Sequence, residues 1–124
     1  MVTLLIASGD TGLTTYYADY FASSPITGAI TATQAETLTY LEGADPPNVL
    51  LLDMPLPDAV GGAIVRFMRS NPAYQRTHII MLLEEKVSIL ARPRLGIEHI
   101  LYKPIAPGEL GEYLSNLLET AGLK

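Results

Sequence analysis

Asp53 closes the apolar run Val49-Leu50-Leu51-Leu52, and Lys103 closes a second run, Ile100-Leu101-Tyr102, just ahead of Pro104. A carboxylate at the mouth of a buried strand stands where reactive or ligand-binding groups are found. An ammonium group beside it can neutralise an anion such as a phosphoryl group. The same residues also allow plainer roles: Asp53 as the cap of a turn, or the two as a simple ion pair. Other candidate chemistry is sparse. The chain has no cysteine, which excludes a thiol nucleophile, a disulfide frame and a thiolate zinc site. His78 and His99 stand far apart without metal-ligand spacing, and each reads as a residue at a strand end. Ser8-Gly9-Asp10-Thr11-Gly12 is a weak echo of a phosphate-binding loop. No Ser/His/Asp constellation is legible.

The elements that must position these groups alternate in type. Short apolar runs at Val2 to Ala7, Gly28 to Ala32, Val49 to Leu52, Ile79 to Leu83 and Ile100 to Leu101 read as five strands. Runs such as Ile79-Ile80-Met81-Leu82-Leu83 do not alternate apolar with polar, as expected when helices cover both faces of a parallel sheet. Leu13, Tyr17, Tyr20 and Phe21 repeat at helical spacing, and Ser23-Ser24-Pro25 ends that helix. A weaker helix is expected over Gln34 to Glu42. A third is expected over about Gly62 to Ser70, burying Ile64, Phe67 and Met68. A fourth, starting near Val87, must be short because Pro93 disfavours helical geometry at Arg92. The last places Leu110, Tyr113, Leu114, Leu117, Leu118 and Ala121 on one face, with Pro107 at its first position. Five successive βα units give a doubly wound α/β sheet with right-handed crossovers. Both common strand orders of that class put ligands beyond the carboxyl ends of the strands.

The 124 residues suit one domain, expected to span the whole chain, and the 48% hydrophobic content argues for a packed core. No apolar run reaches the roughly 18 to 20 residues that span a bilayer, and no basic signal-peptide flank opens the chain. A cytoplasmic protein without membrane attachment is expected. With a net charge of −5 and no cations interleaved with aromatics, direct nucleic-acid binding is disfavoured. Arg76, Lys86, Arg92, Arg94 and Lys103 concentrate cations in the later half, as one basic face or as solvated loops.

The order Asp53, Met54, Pro55, Leu56, Pro57, Asp58, Gly61, then the strand at Ile79 to Leu83, then Gly96 and Lys103-Pro104, resembles the receiver domain of bacterial two-component response regulators, the CheY-like family. The resemblance covers essentially the whole chain. It implies a flavodoxin-like five-stranded parallel sheet in the order 2-1-3-4-5 with five helices, and a role in phosphorelay signalling rather than enzymatic turnover. Asp53 matches the family's phospho-acceptor and Lys103 its partner for the phosphoryl group. Pro57, Asp58 and Gly61 match the turn into the third helix, and Pro104 a proline whose preceding bond is usually cis. Mg²⁺ is the implied cofactor. The implied output face comprises the fourth helix, fifth strand and fifth helix, facing a histidine kinase, an output domain or a second copy.

Three departures qualify that expectation. Where the family carries two metal-holding acids after its first strand, this chain has Ser8 and Gly9. Mg²⁺ takes hard oxygen ligands, usually one or two carboxylates plus waters, so its affinity should fall. Asp10 offers a weak substitute ligand, alongside Asp53, if the loop bends inward; otherwise it faces solvent or caps the first helix near Thr11. The family's Ser or Thr at the end of the fourth strand aligns with Leu83, which has no hydroxyl to donate. The aromatic switch residue aligns with Ile100.

The expectation is therefore a degenerate receiver that signals by protein contact. A conventional phospho-acceptor is the alternative, and a small-ligand-binding flavodoxin-like protein a more distant one. For partner contact, Arg92, Arg94, His99, Tyr102, Glu109 and Glu112 lie on or near the output elements, and Tyr and Arg are favoured interface anchors. Tyr16, Tyr17 and Tyr20 mark either a second face or core and rim.

Overall fold

Parallel pairing leaves the sheet no choice but to bury both faces, and the strands are apolar enough to allow it. The computed structural model describes residues 3–22, 27–43, 45–53, 63–83 and 99–122. The described strands are β1 (Thr3–Ala7), β2 (Thr27–Thr31), β3 (Val49–Asp53), β4 (His78–Leu83) and β5 (His99–Tyr102). They form one parallel sheet in the order β2-β1-β3-β4-β5. The helices described are α1 (Thr11–Ala22), α2 (Gln34–Gly43), α3 (Ala63–Arg69) and α4 (Pro107–Thr120), with a 3₁₀ turn at Pro72–Tyr74. The short helix expected near Val87 falls on residues outside the described part, as do Pro57, Asp58, Gly61, Gly96, Arg92 and Arg94.

Alternation along each strand divides the core into two layers. Leu4, Ile6, Val49, Leu51, Ile80 and Leu82 pack with Leu13 and Tyr17 of α1 and with Leu110, Leu114 and Leu118 of α4. Leu5, Ala7, Leu50, Leu52, Ile79 and Met81 pack with Leu41 of α2, with Ile64, Val65 and Met68 of α3, and with Tyr74. Tyr17 is wholly buried while its neighbour Tyr16 is exposed, so these two tyrosines are core and rim.

Local signals set the helix ends. Asp10 is the cap of α1: its Oδ1 accepts from the backbone N–H groups of Gly12 (2.9 Å) and Leu13 (3.1 Å). At α2, Thr33 Oγ1 accepts from Glu36 N (3.1 Å) and Glu36 Oε1 accepts from Ala32 N (3.2 Å), a reciprocal cap that stabilises a weakly amphipathic helix. Pro107 opens α4, and Gly122, at φ 74, closes it by turning its N–H onto Glu119 O. Two details of the expected core shift. Val65 is buried whereas Phe67 is half-buried, because α3 turns Val65 onto the sheet and Phe67 onto the ring of Tyr74, centroids 5.6 Å apart. Ala121 is exposed, because the helix has already ended at Thr120.

Leu51 sits on the central strand with no exposed surface. Leu51→Ala should destabilise the fold by about 2 to 5 kcal/mol through lost apolar burial and a residual cavity, read as a lower urea midpoint at unchanged slope.

Candidate functional site

The sheet register assembles the site. Ala7 pairs with Leu52, so Ser8 and Asp53, the next residue on each strand, emerge side by side. Leu83 pairs with Tyr102, and Lys103 N donates to Leu83 O at 2.8 Å, which fixes where the lysine leaves the sheet. By alternation Ser8, Asp53 and Lys103 all stand on the layer covered by α1 and α4.

Asp53 is 5% exposed and both of its oxygens are engaged. Lys103 Nζ lies 2.7 Å from Oδ1, and Ser8 Oγ donates to Oδ2 at 2.7 Å. The Ser8 hydroxyl oxygen in turn accepts from Asp10 N at 3.0 Å, so the bridge runs on to the cap of α1. A buried carboxylate is tolerated only when paired and hydrogen-bonded, and these contacts meet that requirement without a metal ion. The Lys103–Pro104 peptide bond is cis, as the resemblance implies.

Above the pair opens a cleft of about 380 Å³ lined by Asp10, Leu13, Asp53, Leu82, Lys103 and Ile105, among others. Asp10 therefore reaches the rim, but its Oδ1 is turned back to the helix amides it caps. Gly9 is exposed in the turn between β1 and α1. Leu83 packs on the other face, against the α2 and α3 layer, and the residue of β4 that lines the cleft is Leu82. Ile100 is half-buried within β5.

The expected partner face is only partly assembled. Tyr102 is half-buried in β5, while Glu109 and Glu112 are exposed on α4. His99 heads β5 at the opposite end of the sheet from Asp53, and its Nδ1 lies 2.7 Å from the hydroxyl of Tyr113. Burial raises the Tyr113 phenol above its ordinary pKa.

The residue whose part was not legible is Ser8. Read as a missing acid, it is instead a hydrogen-bond donor to the carboxylate. The available signal was a hydroxyl one residue beyond the first strand, on the strand that a 2-1-3-4-5 order puts next to Asp53.

No family model matches the sequence, and no curated protein matches it. Solved structures do match. The chemotaxis response regulator CheY4 of Vibrio cholerae superposes with a TM-score of 0.81 at 22% identity, over 95% of this chain and 99% of that one. A CheY-like response regulator receiver domain from Methanospirillum hungatei gives 0.78 at 22% identity, over 98% and 97%. A two-component response regulator from Legionella pneumophila gives 0.76 at 23% identity, over 96% and 99%. The chain has the CheY-like receiver fold. Within that fold Asp53 and Lys103 stand at the carboxyl edge of the sheet, where a doubly wound architecture keeps its ligand sites.

Lys103 is 25% exposed on its side chain against 6% for Asp53, so losing the lysine strands the more buried charge. Lys103→Met should destabilise the protein by roughly 2 to 4 kcal/mol, somewhat below a fully buried pair because one partner touches water. Adding Asp53→Asn to that variant should restore part of the loss, a sign that urea melts of the single and double variants can read directly.

Proposed function

We propose that this chain is a receiver-type signalling module of two-component systems that acts by protein contact, with Mg²⁺-dependent phosphorylation of Asp53 impaired. The observation that carries the reading is the double engagement of Asp53. Its two oxygens are held by Lys103 Nζ and Ser8 Oγ, each at 2.7 Å. A receiver's acceptor must offer one oxygen to a phosphoryl group and share the other with a divalent ion, and here one oxygen is paired with Lys103 Nζ and the other accepts from Ser8 Oγ, which stands where an acid would help hold the ion.

The donor set points the same way. Mg²⁺ wants hard oxygen ligands in near-octahedral array. Ser8 and Gly9 supply no carboxylate, Asp10 spends an oxygen on its helix, and the described residues contain no cluster of three His, Asp or Glu suited to a metal ion. These donors do not fit the ion well. Lys103 supplies the positive charge that compensates the buried Asp53 carboxylate, and Ser8 fixes its orientation. The pocket then acts as a set conformation rather than a chemical cycle. Leu82, the β4 residue that lines the cleft, agrees with this, since a leucine cannot report a phosphoryl group by hydrogen bonding, and Ile100 lacks the aromatic rotor.

In such a module the output is surface. Tyr102 and Glu109, with Arg92 and Arg94 of the same region in sequence, are the residues proposed to meet a histidine kinase, an output domain or a second copy. No described helix is long and apolar enough to cross a membrane, and a non-enzymatic cytoplasmic role fits this reading. One observation favours the second reading, a working phospho-acceptor: the cleft over Asp53 and Lys103 is open and roomy.

Incubation with Mg²⁺ and acetyl phosphate, followed by intact mass, separates the two. The proposal expects no stoichiometric phosphorylation and no amide shifts on adding a beryllofluoride mimic; full modification at Asp53 would replace it with the second reading. Ser8→Asp should move the site toward metal binding, raising Mg²⁺ affinity by about tenfold or more through the added carboxylate, as measured by calorimetric titration.

A further inference from the structure

The cleft above Asp53 has an apolar side that the ion pair does not use. Leu13, Leu82, Pro104 and Ile105 line it together with Asp10, Asp53 and Lys103. Leu13 and Leu82 belong to the core layer under α1 and α4, and Ile105 packs against that layer, so this wall is the core's own edge, left open at the carboxyl end of the sheet. At about 380 Å³ the space falls in the range that small-molecule sites occupy, and an apolar lining with a few polar groups is their usual composition. Its place beyond the carboxyl ends of the strands is also where a doubly wound sheet holds ligands.

The geometry points to a binding site for a small amphipathic cation, an apolar body bearing an ammonium group, seated on Leu13, Leu82 and Ile105 with its head at Asp10. The charges decide the sign of the head. Among the described residues that line the cleft there are two carboxylates, Asp10 and Asp53, and one ammonium, Lys103. Lys103 and Asp53 are paired at 2.7 Å and Ser8 holds the second oxygen of Asp53, so this pair is compensated internally. An anionic ligand would have to draw Lys103 away and leave the more buried carboxylate short of its partner, which is costly. Asp10 is different. Its Oδ1 accepts from Gly12 N and Leu13 N, while no described residue donates to its Oδ2. That second oxygen is the acceptor left for a ligand.

Asp10 is exposed, so its ion pair with a ligand ammonium is screened by water and changes affinity by a factor of about two to five. The apolar wall therefore supplies most of the binding, and Asp10 selects the head group. Leu82 belongs to the same division of labour: it presents carbon to an apolar body and no donor to an anion. This inference rests on the reading of Asp53 as self-compensated, since a phosphoryl group on that residue would fill the same cleft.

The test compares phenethylamine, 2-phenylethanol and phenylacetate, which share a ring and differ in the head group. Amide shift titrations should show saturable one-to-one binding of phenethylamine, with Leu13, Leu82 and Ile105 moving together, and about two- to fivefold weaker binding of 2-phenylethanol. Phenylacetate should bind more weakly still. Asp10→Asn keeps a good helix cap and should bring phenethylamine down to the affinity of 2-phenylethanol. Ile105→Ala should weaken both by about fourfold, the equivalent of one methylene contact. Failure of phenethylamine to saturate, shifts confined to other parts of the chain, tighter binding of phenylacetate, or an unchanged preference in Asp10→Asn would each overturn the site. The wild-type series decides the matter by itself if a variant fails to fold. Acetyl phosphate treatment reports on the underlying reading alone: modification of Asp53 would overturn that reading even where the amine binds, and an amine that fails to bind unmodified protein would overturn only the site.

Discussion

A carboxylate buried to 5% exposure has to be compensated, and the region around Asp53 is arranged to compensate it from both sides. Lys103 brings the opposite charge from β5 and Ser8 a hydroxyl proton from the end of β1. Because the two partners come from strands on either side of β3, the bridge also records the strand order. Only when β1 lies directly beside β3, and β4 and β5 follow, can one aspartate touch both.

That order rests on the division of the core. Each strand sends alternate residues to two helix layers, and α1 and α4 seal the layer on which the site stands. The bridge continues through Asp10 N to Ser8 Oγ, so the carboxylate is tied to the cap that starts α1 as well as to β5. The site is therefore part of the scaffold's own hydrogen bonding. Buried ion pairs of this kind contribute little net stability over an apolar replacement, and their use is in holding one arrangement.

The parallel fold was legible because strands buried on both faces are continuously apolar, and the runs at Val49 to Leu52 and Ile79 to Leu83 alternate with stretches of helical period. The Asp53–Lys103 meeting followed from two residues that each end a strand on the same sheet edge. What was hidden depends on register and strand order. Ser8 read as an absence, since its contact with Asp53 exists only once Ala7 is paired with Leu52. The approach of His78 to His99 depends on the register of β4 against β5, which sets Ile80 opposite His99. Burial of Val65 rather than Phe67 depends on how α3 is turned against the 3₁₀ turn at Tyr74, which helical period alone does not specify. The second helix, weak by amphipathic pattern, carried a better signal in its Thr33 and Glu36 cap than in its apolar face.

The two ends of the sheet thus have different characters, a self-compensated acid at the carboxyl end and an imidazole pair at the amino end. The first is the centre of the account, and the lysine ammonium group reports on it directly. An NMR spectrum of the Lys103 ¹⁵Nζ group should show slowly exchanging protons, held by the Asp53 carboxylate, with a chemical shift indifferent to millimolar Mg²⁺. A resonance in fast exchange with water, or one that moves and saturates as Mg²⁺ is added, would mean that the carboxylate is available to a metal ion and would contradict the account.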